Sequence, residues 1–188
     1  MSEEILGERK KALENEFFAK ENQRLLERLR KEREKLAVKE ALAQASNIQD
    51  EVLLDRLVEL EIGPDTWTAL SLIPLVEVAW ADGKLDDKER AAILEAAADT
   101  GVSPGKASYE LLESWLASRP AAALLEAWAE YVVGIANRLD AEGKQTLRAE
   151  IMGGARSVAE AAGGILGFGN KVSDEEQAIL DRLERAFD

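Results

Sequence analysis

Ala79-Trp80-Ala81-Asp82-Gly83-Lys84-Leu85-Asp86-Asp87-Lys88-Glu89 joins two helical patterns, an apolar segment that runs in and a second segment that runs out to Leu94 and beyond. Asp82-Gly83 closes the first, because glycine adopts the left-handed conformation of helix ends at no steric cost. Asp86 opens the second. Its side-chain oxygen reaches the free N–H groups of the first turn, and Glu89 stands three residues on, the spacing of a capping box with Asp in place of Ser or Thr. Losing such a cap costs about 0.5–2 kcal/mol. This spacing predicts helix, turn, helix.

The same letters admit a second reading. Asp82-Gly83-x-Leu85-Asp86-x-x-Glu89 matches the second half of an EF-hand loop, with Gly at loop position six, an apolar residue at eight and Glu at twelve. The first half fails, since Val78 and Trp80 stand where two carboxylates belong. Calcium takes 6–8 oxygens. Asp82, Asp86 and Glu89 are therefore the candidate ligands of a divalent cation (Ca, Mn or Mg), and a structural turn is the competing reading.

Composition narrows the chemistry. The 188 residues contain no His and no Cys. That removes His-dependent triads, thiol nucleophiles, disulfides and His/Cys zinc sites, so no catalysis is expected. Any metal would be a hard ion on oxygen ligands. The net charge of −13 repels nucleic acid and anionic membrane surfaces. Apolar runs are only a few residues long, so no membrane insertion is expected. The acidic start, Met1-Ser2-Glu3-Glu4, lacks the order of a signal peptide, and a cytoplasmic location is the expectation.

The charge is unevenly spread. Residues 1–46 hold 11 Lys/Arg and 10 Asp/Glu, and the rest of the chain holds 13 and 27. This step predicts an arm, 1–46, attached to an acidic domain, 47–188. The arm reads as one long helix, free of proline and rich in Glu, Lys, Arg, Leu and Ala. Leu6, Leu13, Phe17, Phe18, Leu25, Leu29 and Leu36 recur at helical steps. Asn22 and Glu32 interrupt a strict heptad, which argues against a long coiled coil. The apolar edge packs either on its own domain or on a partner, a second copy or another protein.

Further helices follow over about Gln49–Glu61, with Val52, Leu53, Leu57 and Leu60 inward and a stop at Ile62-Gly63-Pro64. The next, capped by Asp65, is apolar nearly all round from Trp67 to Trp80 and is expected at the centre. Pro74 either kinks it or marks a restart with Ser71 as N-cap; the kink is favoured. Asp87–Thr100 follows, with Ala91, Ile93, Leu94 and Ala97 inward. Helices opened by Ser103-Pro104, by Pro120 and near Asp140 come next, the last reaching about Ala162. The four tryptophans read as core. Ile165 to Asn170 reads as an apolar glycine-rich loop over the core. A final helix spans Ser173–Phe187.

The last segment echoes the first turn. Asn170, Ser173 and Glu176 stand at a constant 87 residues from Gly83, Asp86 and Glu89. Asn tolerates the left-handed conformation, and Ser173 with Glu176 forms a second capping box. Gly83, Asn170, Ser173 and Glu176 are thus the expected structural turn residues. Gly169 replaces Asp82, so the second turn lacks that carboxylate.

The run Leu75-Val76-Glu77-Val78-Ala79-Trp80-Ala81-Asp82-Gly83-Lys84-Leu85-Asp86-Asp87-Lys88-Glu89, with its echo over Val172–Leu180, resembles the TerB-like domain named for tellurite resistance. The resemblance covers about residues 65–187. It implies an all-α, internally pseudo-repeated bundle and acidic clusters suspected of binding divalent metal, here Asp82, Asp86 and Glu89. It also implies a non-catalytic role in stress-response or chaperone-type assemblies. The arm lies outside the resemblance. The functional expectation is an interaction or scaffold module, and the alternative is a divalent-cation sensor.

Overall fold

A computed structural model describes the backbone of residues 2–162 and 172–187 and the side chains of 16–161 and 172–187. Among the described residues every regular element is helical. The elements are α1 (Ser2–Ser46), α2 (Glu51–Glu59), a 3-10 helix (Trp67–Leu72), α3 (Ile73–Ala79), α4 (Asp87–Asp99), α5 (Ala107–Ala117), α6 (Ala122–Ala136), α7 (Ala141–Ala162), α8 (Asp174–Glu184) and a closing 3-10 turn (Arg185–Phe187). The chain is all-α. By packing it divides into two units, 1–40 and 41–188. The charge step lies at 46/47, whereas the packing division lies earlier because Leu42, in the last turns of α1, is fully buried in the core of the second unit.

The centre of the second unit is α3. All seven of its residues are buried. It packs against α4, α6, α7, α8 and the 3-10 helix before it, which is why this stretch has no polar face. Pro74 is a restart rather than a kink. It sits in the first turn of α3, where its missing N–H removes no hydrogen bond. The preceding turns tighten into the 3-10 helix, and Ser71 does not cap; its hydroxyl donates to the Thr68 carbonyl at 2.8 Å. Nor does Asp65 cap the segment: Thr66 is the residue before the 3-10 helix, and its Oγ1 accepts from the Gly63 N–H at 2.9 Å.

Three further expectations shift for local reasons. Two residues past the end of α2, Glu61 takes a left-handed conformation (φ 63), with the Ile62 N–H returning to the Leu57 carbonyl at 2.9 Å. The chain therefore turns before Gly63-Pro64. Val52 faces out, and Leu53, Leu54 and Leu57 form the buried face. On α4 the inward line is Glu89, Ile93 and Ala97, at steps of four, and Ala91 is exposed. α5 opens at Ala107 rather than at Ser103-Pro104, because Gly105 takes a positive φ of 85° and the chain turns once more. Trp115 and Trp128 are buried, and Trp67 and Trp80 pack on the core from its edge. Trp80 Nε1 donates to the Trp115 carbonyl at 2.9 Å, fixing the end of α3 to α5. The loop from Ile165 to Asn170 lies outside the described residues.

Candidate functional site

The acidic turn is built by backbone demands. α3 stops at Ala79, and the chain turns through Trp80–Asp82 to Gly83, whose φ is 84°. Asp82 Oδ1 accepts from the Lys84 N–H at 2.9 Å. Asp86 Oδ1 accepts from the N–H groups of Lys88 and Glu89 at 2.7 and 2.8 Å. Glu89 Oε2 accepts from the Asp86 N–H at 2.9 Å, so the capping box is complete. Each candidate ligand is thus engaged with backbone donors of its own turn. Among the described residues no group of three or more acidic side chains converges to hold a metal ion.

The second turn repeats this chemistry. Ser173 Oγ accepts from the Glu176 N–H at 3.1 Å, and Glu176 Oε2 accepts from the Ser173 N–H at 2.6 Å. Asn170, expected as its left-handed residue, lies outside the described residues. Both capping glutamates are buried, Glu89 to 5 % exposure and Glu176 to 7 %. A sequence motif shows each cap alone; only the fold shows that one acts on the other. Burial pushes the Glu89 carboxyl from an ordinary 4.5 up to about 7. The Asp86 N–H opposes this by favouring the charged form, while the charges of Asp86, Glu176 and Asp82 add to the rise. Replacing Asp86 or Ser173 by Ala is expected to destabilise the chain by about 0.5–2 kcal/mol, read from chemical denaturation. A loss confined to a few tenths would show that these caps carry little of the turn.

Sequence reasoning passed over a buried carboxylate. Glu77 sits on α3 at 3 % exposure. Its Oε2 accepts from Arg119 Nη2 at 3.0 Å, and its Oε1 is buried with no hydrogen-bond partner among the described residues. An acidic residue inside a solidly apolar helix was the available signal. Burying a paired charge is weak evidence for stability but a strong constraint on its partner.

The other candidate surface is on α1. Phe17, Phe18, Leu25, Leu26, Leu29, Leu36 and Val38 are all exposed, Phe18 at 62 %, Leu25 at 51 % and Leu29 at 43 %. Phe18, Leu25, Leu29 and Leu36 are separated by 7, 4 and 7 residues. At 100° per residue they fall within roughly 20° of one line along the helix. Charged pairs occupy the rest of the helix surface: Lys20–Glu16 at 2.8 Å, Arg24–Glu21 at 2.9 Å and Arg30–Glu34 at 2.9 Å. Such exposed pairs contribute only about 0.3–0.5 kcal/mol each. Comparison with family models, with curated proteins and with solved structures finds no match. No helix among the described residues is long and apolar enough to cross a membrane.

Proposed function

We propose that the protein is a non-catalytic interaction module that pairs with a second copy of itself through α1. The observation that carries this reading is the exposed line of Phe18, Leu25, Leu29 and Leu36. Burying a Leu or Phe side chain gains about 1.5–3 kcal/mol, so four on one face supply a substantial driving force when covered. Asn22 lies at the edge of the line, about 40° around the helix from Phe18. A single polar residue in an apolar seam lowers stability but selects register and oligomer state. The arm is close to neutral while the remainder is strongly acidic, so two arms approach each other without the repulsion that opposes two acidic bodies. The resemblance to TerB-like domains supports placing such a module in a stress-response or chaperone-type assembly. Removing residues 1–40, which leaves Leu42 in its core, is expected to convert a dimer in light scattering into a monomer with an intact thermal transition. A full chain and a truncated chain of the same oligomeric state overturn the reading.

A second reading, a divalent-cation sensor at Asp82, Asp86 and Glu89, is favoured by one observation. The field of Asp86, Glu176 and Asp82 on the buried Glu89 is one that a cation relieves. It requires the side chains to leave their backbone donors. Calcium or manganese is then expected to raise the melting temperature of the full chain, and Asp82→Asn to reduce that rise. An Asp82→Asn chain that keeps the full rise counts against it.

A further inference from the structure

The spacing of the exposed line on α1, 7, 4 and 7 residues from Phe18 through Leu25 and Leu29 to Leu36, reads the same in both directions. Its midpoint is residue 27. A two-fold axis across the helix at that point sets each residue level with the one equally far on the other side in an antiparallel copy. Phe18 then lies level with the partner's Leu36, and Leu25 with the partner's Leu29. Each apolar residue of the line has an apolar opposite.

The two polar interruptions obey the same symmetry. Asn22 and Glu32 each stand five residues from the midpoint, and they flank the line by about 40° on opposite sides. The antiparallel register sets the Asn22 amide level with the partner's Glu32, so N–H donors meet a carboxylate that only accepts. A parallel register sets Glu32 against the partner's Glu32, and like charges at a contact repel.

The flank charges point the same way. Glu21, Arg28 and Lys35 run down one side, about 60–100° from Phe18. In the antiparallel pair Glu21 comes beside the partner's Lys35 at both ends, and Arg28 meets the partner's Arg28 once, near the axis. In a parallel pair Lys35 comes beside the partner's Glu40 twice, but Arg28 meets the partner's Arg33 twice and Glu21 faces the partner's Leu26.

The rest of the chain adds an independent observation. The second unit starts at residue 41, and residues 47–188 hold 13 basic and 27 acidic side chains. Parallel arms lead both of these acidic units out at the same end. Antiparallel arms hold the two copies of residue 41 about 42 Å apart along the pair, at 1.5 Å per residue. That is several times the screening length of about 10 Å at 0.1 M salt.

We infer that, given the pairing proposed above, the two α1 helices run antiparallel across residue 27, with Phe18 on the partner's Leu36, Leu25 on the partner's Leu29 and Asn22 beside the partner's Glu32. The contact is short, residues 18–36, and it sends the two acidic units out at opposite ends.

The chain has no cysteine, so one introduced thiol carries one spin label. Glu16→Cys, Glu27→Cys and Val38→Cys place it at exposed sites on the side of α1 away from the line. Label-to-label distances are read by pulsed electron spin resonance on the full chain, with the mass of each sample from light scattering. The expected result is the shortest distance at position 27. An axial offset of about 33 Å lengthens those at 16 and 38 alike, by on the order of 15 Å. Equal distances at all three sites in a chain of doubled mass overturn the antiparallel register and leave the pairing standing. A monomeric mass overturns both. Charge reversal is the second measurement. Glu21→Lys is expected to raise the dissociation constant about threefold or more, and Glu21→Lys with Lys35→Glu to restore it. A double variant that pairs no better than Glu21→Lys alone also overturns the register.

Discussion

Changing both Leu25 and Leu29 to Glu is expected to raise the dissociation constant of the dimer about 100-fold or more. Both side chains are half exposed on α1 and lie on the line with Phe18 and Leu36. Losing the burial of two leucines forfeits about 3 kcal/mol or more, and each tenfold change corresponds to about 1.4 kcal/mol. The thermal transition of the remainder is expected to stay put, because neither residue belongs to the core cluster. Leu26 is the internal control. It is 66 % exposed but lies about 80° around the helix from Phe18, so Leu26→Glu is expected to change the constant by only a few-fold. Equal effects at positions 25 and 26 would mean that generic hydrophobicity, not a defined face, drives association. Sedimentation velocity on the three chains reads the difference.

The second large effect is a pH dependence centred on Glu89. Its folded-state value of about 7 lies above the ordinary 4.5. The folded chain therefore holds a proton there that the unfolded chain has released, throughout the window between the two values. The stability from this group is fully present below 4.5 and is lost as pH rises through about 7. The loss amounts to at most about 3 kcal/mol. Glu89→Gln keeps an oxygen to accept from the Asp86 N–H but carries no titrating proton. The variant is expected to match the parent near pH 5 and to exceed it by about 1–3 kcal/mol near pH 8 in urea denaturation. Parallel pH curves for the two chains would show that Glu89 ionises as an ordinary exposed carboxylate does. Since other carboxylates titrate too, the difference between the two chains is the quantity that decides.

What could be read from the letters, and what could not, follows the range of the forces involved. The two capping boxes are local: Asp86 with Glu89 and Ser173 with Glu176 need only a spacing of three, and both form as spaced. The central position of α3 was likewise visible, since a segment without a polar face has nowhere else to go. Pro74 was ambiguous because a kink and a restart leave the same residue in the same place. The choice fell to the 3-10 turns before it, which pack against α4 and α5. Gly63 and Pro64 looked like the stop of α2, yet Glu61 took the left-handed turn first, a strain that only tertiary packing at Ile62 repays. The influence of Glu176 on Glu89 was invisible for a plainer reason. Eighty-seven residues separate them, and no periodicity reports on charges brought together by folding.

The most direct test of the pairing of α1 is the mass of the intact chain in multi-angle light scattering, measured over a range of micromolar concentrations at moderate salt. Pairing through Phe18, Leu25, Leu29 and Leu36 predicts a concentration-dependent approach to twice the 20.6 kDa chain mass. A mass of 20.6 kDa at every concentration would contradict it.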